Sequence, residues 1–149
     1  MFSNACEYAI RAVLYISVRS IRGSKLSIKE IAKEIDSPVP FTAKILQTLS
    51  RKRIISSVKG PNGGFYLEPW SKPITLNSIV KVIDGDEILH SCALGLKKCS
   101  DAFPCPIHNE IKAYKNKLRD VMRGKTIQQL AADLAQGKTF LKNNRIRLS

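Results

Sequence analysis

Residues 27–67 read SIKEIAKEIDSPVPFTAKILQTLSRKRIISSVKGPNGGFYL. Ser27-Ile28-Lys29-Glu30 is a capping box, with Ser27 as N-cap and Glu30 reaching back to its backbone N–H. Ile28, Ile31, Ala32 and Ile35 fall on one face, so a short helix to about Ile35 is expected. Asp36-Ser37-Pro38 reads as a turn and helix start. A third helix then runs from about Pro38 to Lys52, with Phe41, Ile45, Leu46 and Leu49 inward. Ile54 to Val58 alternates weakly and is β-branched, and Phe65-Tyr66-Leu67 is a second strand. Between them Lys59-Gly60-Pro61-Asn62-Gly63-Gly64 supplies residues that allow tight turns and positive φ. Two short helices joined by a tight turn, the second one basic and followed by a hairpin, make a winged helix-turn-helix.

The flanking sequence extends this frame. Residues 4–21 read as a mostly buried helix, with Ala9, Ala12, Val13 and Ile16 at helical spacing and Ile10, Leu14 and Val18 on the other side. Thr75 can cap a fourth helix through Ile79, Val80 and Ile83, and Asp84-Gly85-Asp86 ends it. Residues 86–104 read as a loop. Pro106 fits the first turn of a helix whose N-cap would lie near Cys105. Ile107, Ile111, Tyr114, Leu118 and Val121 then repeat at heptad spacing, which favours pairing with another helix, most simply a second copy. Thr126 to Gln129 is a second capping box opening a short helix through Leu130 and Leu134. The basic tail from Gly137 is expected to be loosely ordered. The expected division is a winged helix-turn-helix unit at 1–84, a cysteine-rich loop at 85–105, a dimerisation helix with a short C-terminal helix at 106–136, and a basic tail at 137–149. The fold class is mainly α with a small β-hairpin wing.

The net charge is +13, from 25 basic and 12 acidic residues, which points to a polyanionic partner. Its placement narrows that to duplex DNA. No Asp or Glu occurs from Ser37 to Leu67, while Lys44, Arg51, Lys52, Arg53 and Lys59 all lie there. Lys44, Gln47 and Thr48 are expected to face the major groove, with Thr42 and Pro40 near phosphates or base edges. Arg51 and Lys52 suit phosphates. Lys59 can enter the minor groove, and Asn62, with Gly63 beside it, lies at the wing tip. No apolar run is long enough for a membrane span. The apolar N-terminus carries Glu7 and Arg11 and lacks a basic start, so it is not read as a signal peptide. A cytoplasmic location is expected.

Cys92, Cys99, Cys105 and His108 fall within seventeen residues. In a reducing compartment, clustered cysteines bind metal more often than they pair. Three thiolates and an imidazole suit an iron–sulfur cluster, [2Fe–2S] or [4Fe–4S], or zinc. His90 reads as a loop residue, and Cys6 as a buried small side chain or an alternative ligand. No nucleophile–base constellation, phosphate loop or catalytic carboxylate pair is apparent, so an enzyme is not expected.

The wing segment Ser56–Phe65, the upstream Tyr8-Ala9-Ile10-Arg11-Ala12 and the downstream Ile79-Val80-Lys81-Val82-Ile83-Asp84-Gly85 resemble the IscR/NsrR family of bacterial winged-helix regulators. The resemblance spans roughly residues 1–122. It implies a homodimer held by the long helix after the cysteines, an iron–sulfur cluster on the cysteine loop, and transcriptional control of cluster assembly, nitric-oxide defence or redox genes, which adds RNA polymerase as a candidate partner. Two ligand patterns within the family compete. In the IscR-like one a histidine follows the last cysteine by three residues, as His108 follows Cys105. In the NsrR-like one an acidic residue just before the Tyr-Ala of the first helix serves from the partner subunit, and Glu7 holds that position. Related proteins often carry glutamate where this chain has Ala43, so a relative's operator does not transfer to it. The expected function is a DNA-binding regulator that senses iron–sulfur, redox or nitric-oxide status. The alternatives are the same regulator with a structural zinc or thiol-redox site, and a redox or cluster-transfer protein without specific DNA binding.

Overall fold

The structure is a computed structural model and describes residues 1–142. Helix α1 (Asn4–Ser20) is capped by Ser3, whose hydroxyl accepts from the Cys6 N–H. Helix α2 (Ile28–Glu34) opens on the expected capping box: Ser27 Oγ accepts from the Glu30 N–H, and Glu30 accepts from the Ser27 N–H at 2.9 Å. Helix α3 (Val39–Arg51) follows with Pro38 at its start and no side-chain cap. Strands β1 (Ser56–Val58) and β2 (Gly64–Tyr66) form an antiparallel hairpin with Ser57 opposite Phe65. Each strand is shorter than its apolar run, because Ile55 and Leu67 turn into the core instead of continuing the ladder. A β-bridge from Leu26 to Phe65, with N–H···O distances of 2.9 and 2.8 Å, adds a third edge that local pattern does not announce.

Helix α4 (Leu76–Ile83) is capped by Thr75 as expected. The segment read as a loop from 86 begins instead with a short helix, α5 (Glu87–His90), whose Leu89 is buried. Helix α6 (His108–Gly124), with Ile107 as N-cap, starts two residues later than expected. Cys105 therefore lies outside it, and its carbonyl accepts from the His108 N–H in the preceding turn. Helix α7 (Ile127–Ala135) carries the second capping box, Thr126 with Gln129.

The main core gathers α1, α2, α3, α4, α7 and the hairpin around Val13, Ile16, Ile31, Ile35, Leu46, Leu49, Ile79 and Ile127. Helix α7 thus packs on the reading unit, joined to it also by a Thr75–Thr126 bridge. A second cluster, Cys6, Val80, Leu89 and Met122, seals α5 and α6 against α1 and α4. Ile10, Leu76 and Ile83 pack against both clusters. The start of the basic tail departs from expectation. Leu141 packs against the core, and Lys142 Nζ donates to the Lys33 carbonyl at 3.1 Å and lies 3.7 Å from Asp36 Oδ1. Residues 143–149, with Arg145 and Arg147, lie outside the described residues. Among the described residues no helix is long and apolar enough to cross a membrane.

Candidate nucleic-acid interface and cysteine site

The candidate nucleic-acid surface is built on α3. Ile45, Leu46 and Leu49 anchor its inner face, which leaves Pro40, Lys44, Gln47, Arg51 and Lys52 exposed. Thr48 is half-buried, and its hydroxyl donates to the Lys44 carbonyl at 3.1 Å. Thr42, expected near phosphates or base edges, is 1% exposed, and its hydroxyl donates to the Pro38 carbonyl at 2.9 Å. It is a core residue whose hydroxyl bond lies along the first turn of α3, which has no side-chain cap. Phe41 meets the Tyr8 ring edge-on at 5.6 Å, and the Arg11 guanidinium stacks 4.8 Å from that ring. This contact ties the Tyr8–Ala12 segment to the start of α3.

The wing is fastened to α3 by the hydroxyls of Ser50 and Ser57, 3.0 Å apart. Lys59 and Asn62 are exposed on it. Gly63, expected beside Asn62 at the tip, is half-buried and has a steric task. A Cβ there would fall 2.0 Å from the Val58 carbonyl oxygen, so the turn closes only without one. Lys44, Arg51, Lys52, Arg53 and Lys59 are all exposed, and none is in an ion pair among the described residues. Two cations escaped the sequence-based site. Arg53 closely follows α3 and shows in the sequence only as part of the basic charge. Lys25, 5.6 Å from the Tyr66 ring, reaches the wing through the Leu26 bridge, a long-range pairing with no local signature.

The cysteine segment runs between α5 and α6. Ser91 ends α5, and its carbonyl accepts from Lys115, a lysine only 8% exposed on α6. The half-buried Cys92 follows. Backbone N–H groups of Leu94 and Leu96 hydrogen-bond its sulfur and hold the thiol below its ordinary range, with smaller contributions from the Cys105 side chain and the Lys115 charge. Cys99 is exposed, and its Sγ lies 3.5 Å from Nδ1 of the buried His108. Nε2 of that ring is 2.8 Å from Asp101 Oδ1, and Lys112 also bonds this carboxylate. Lys112, then His108, holds Asp101 below the usual carboxylate range.

The donors therefore stand as two pairs, Cys92 with Cys105 and Cys99 with His108. Among the described residues no three His, Cys, Asp or Glu side chains are gathered closely enough to hold a metal ion. The chemistry of the set nevertheless fits a soft metal, since amide-stabilised thiolate sulfur and neutral imidazole are its usual ligands. His90, the last residue of α5, lines a cavity of about 240 Å³ with Cys99, Asp101, His108 and Lys112. Glu7 is exposed on α1. Cys6 is fully buried in the second cluster with Val80, Leu89 and Met122.

Comparison with known proteins accords with this architecture. The Rrf2 family model, described as an iron-dependent transcriptional regulator, matches residues 2–133. A protein of Aquifex aeolicus (strain VF5) named as an HTH-type transcriptional regulator is 33% identical over 132 residues, covering 87% of this chain and 90% of the relative. Among solved structures, CymR (YrzC), the global cysteine regulator of B. subtilis, superposes with a TM-score of 0.70 at 19% identity, covering 89% of this chain and 96% of that one. T. potens IscR gives a TM-score of 0.69 at 19% identity, covering 93% and 91%. These two likenesses bear on the fold, and the resemblance carried by the wing and its flanking motifs is borne out by the family match. The chain belongs to the Rrf2 family of winged-helix transcriptional regulators.

Proposed function

We propose that the protein is a homodimeric DNA-binding regulator whose operator affinity depends on an iron–sulfur cluster held by Cys92, Cys99 and Cys105 with His108. The observation that carries the DNA-binding reading is the acid-free face from Ser37 to Leu67, with five exposed cations unneutralised by any described carboxylate. Helix α3 enters the major groove with Lys44 and Gln47 toward base edges, Arg51 and Lys52 meet phosphates, and the wing sets Lys59 alongside. In a dimer the two α3 helices stand about 34 Å apart, one turn of DNA. Ile107 at the start of α6, with Tyr114 and Val121 on it, are exposed and support self-pairing.

When bound, the cluster supplies electron-transfer and ligand-exchange chemistry. The chain's own residues carry its state inward: Lys115 ties the end of α5 to α6, and Leu89 of α5 packs on Cys6, Val80 and Met122. A coupling of about 1–3 kcal/mol would change operator affinity roughly 5- to 150-fold.

The test is anaerobic purification followed by visible absorption and the iron, sulfide and zinc content per chain. Binding to a duplex selected from a random-sequence library is then measured with and without cluster at fixed salt. Iron and sulfide in stoichiometric amounts, with affinity that changes on cluster removal, are expected. Stoichiometric zinc assigns the donors to a structural site, and equal affinity with and without cluster rejects sensing. Lys44→Ala should relax specificity at one or two positions, whereas Lys59→Ala should weaken binding generally and flatten its salt dependence.

A further inference from the structure

We infer that Asp101 is a positioning residue that decides which nitrogen His108 presents to Cys99. The inference rests on His108 being a ligand, as proposed above. The imidazole is 4% exposed and is gripped on both edges, with Nε2 at 2.8 Å from Asp101 Oδ1 and Nδ1 at 3.5 Å from Cys99 Sγ. An ionised carboxylate only accepts, so Nε2 carries the hydrogen. In the neutral ring the lone pair is then on Nδ1, facing the sulfur. Asp101 is itself held, because Lys112 Nζ donates to both of its oxygens at 2.8 and 2.9 Å. His108 and Lys112 stand one turn apart on α6 and close on the carboxylate from the same face.

Asp101 follows Cys99 by two residues, so the loop that carries the thiol also carries the group that turns the ring toward it. Ser100 Oγ accepts from the Ala102 N–H at 3.2 Å and the Phe103 N–H at 3.4 Å, which folds the loop tightly between them. A carboxylate on the far nitrogen fixes the tautomer of a ligating histidine and raises its basicity. Asp101 would thus act one layer outside the donors without touching the metal.

Two measurements test this. In the metal-free protein, long-range ¹H–¹⁵N correlation of His108 should show Nε2 protonated and Nδ1 bare, and Asp101→Ala should abolish that preference. In anaerobic titration with Co²⁺ alone, read by its visible bands, His108→Ala and Asp101→Ala should each weaken binding, the latter about ten- to a hundredfold. In the double variant Asp101→Ala should add nothing to His108→Ala. Asp101 is 71% exposed, so its truncation leaves the fold intact, as circular dichroism checks. If His108→Ala weakens Co²⁺ binding while Asp101→Ala changes neither affinity nor tautomer, the positioning role fails and the ligand stands. An Nδ1-protonated ring in the unsubstituted protein overturns the inference alone. Unchanged Co²⁺ affinity in His108→Ala overturns the ligand and the inference together.

Discussion

Arg53 holds φ at +59°, the left-handed region that side chains other than glycine rarely adopt. It does so because α3 ends in a Schellman motif: the Arg53 N–H donates to the Ser50 carbonyl and the Ile54 N–H to the Leu49 carbonyl. Glycine is the usual occupant of that position, so an arginine there, beside Arg51 and Lys52, costs stability while adding an exposed cation to the proposed DNA-binding face. Arg53→Gly should raise stability by about 1 kcal/mol and lower DNA affinity, opposite signs that melting and binding read separately. Loss of both would show that the side chain braces the fold. Cys6 makes the complementary case. Burial first, and then the Asp84 carboxylate, push its thiol up to about 12 from an ordinary value of 9.0. Below pH 9 both folded and unfolded thiols are neutral. Above it the unfolded thiol ionises alone, so stability drains by up to about 1.4 kcal/mol per pH unit until the folded value is reached. Cys6→Ala should remove that part of the alkaline loss, measured as the difference between denaturant midpoints at two alkaline pH values. A thiol reagent should find the other cysteines in the native protein and Cys6 only after unfolding.

The elements differ in how openly the sequence declares them. Helices α2, α4 and α7 begin at Ser27, Thr75 and Thr126, where the hydroxyl and, for α2 and α7, the Glu or Gln three residues on satisfy local bonds, so their starts were readable. Helix α5 was missed because four residues carry no period, and only its burial of Leu89 in a distant cluster makes it worth forming. Helix α6 was half read. Of the heptad from Ile107 to Val121, Ile107, Tyr114 and Val121 face outward, whereas the inward stripe is His108, Lys115 and Met122. Two polar side chains disguised that stripe, and with it the site residues it carries. The two stripes should separate on mutation. Val121→Glu should leave the protomer folded and shift sedimentation to the monomer. Met122→Ala should cost about 2–5 kcal/mol of stability, because it empties a sealed space. In the wing, Gly64 has φ +148° and a Cβ there would fall 2.7 Å from the Leu26 carbonyl oxygen. Gly64→Ala should detach the wing from Leu26, weakening DNA binding and lowering stability by about 1–3 kcal/mol. Normal binding by that variant would mean that the wing carries no DNA contact.

Across the whole molecule, the reading unit was legible because local signals and the acid-free charge pattern agree within one continuous stretch. The cysteine site was legible only as a set of donors. Its pairing into Cys92 with Cys105 and Cys99 with His108 depends on how α5 and α6 pack, which no local spacing encodes. The same holds for Asp84, which reads as a helix stop but accepts from the Ser3 N–H at 2.9 Å and from its hydroxyl, pinning the start of α1 to the end of α4. The two apolar clusters have a joint consequence. Because Ile10, Leu76 and Ile83 pack against both, the two clusters are expected to melt together. Calorimetry should show a single heat-absorption peak, and two resolved peaks would break this account. Such a chain behaves as one cooperative unit, so whatever steadies Leu89 in the cysteine segment also slows hydrogen exchange along α1. If the cysteines sense as proposed, their state reaches α3 as a difference in how often the helices open, with no displacement required.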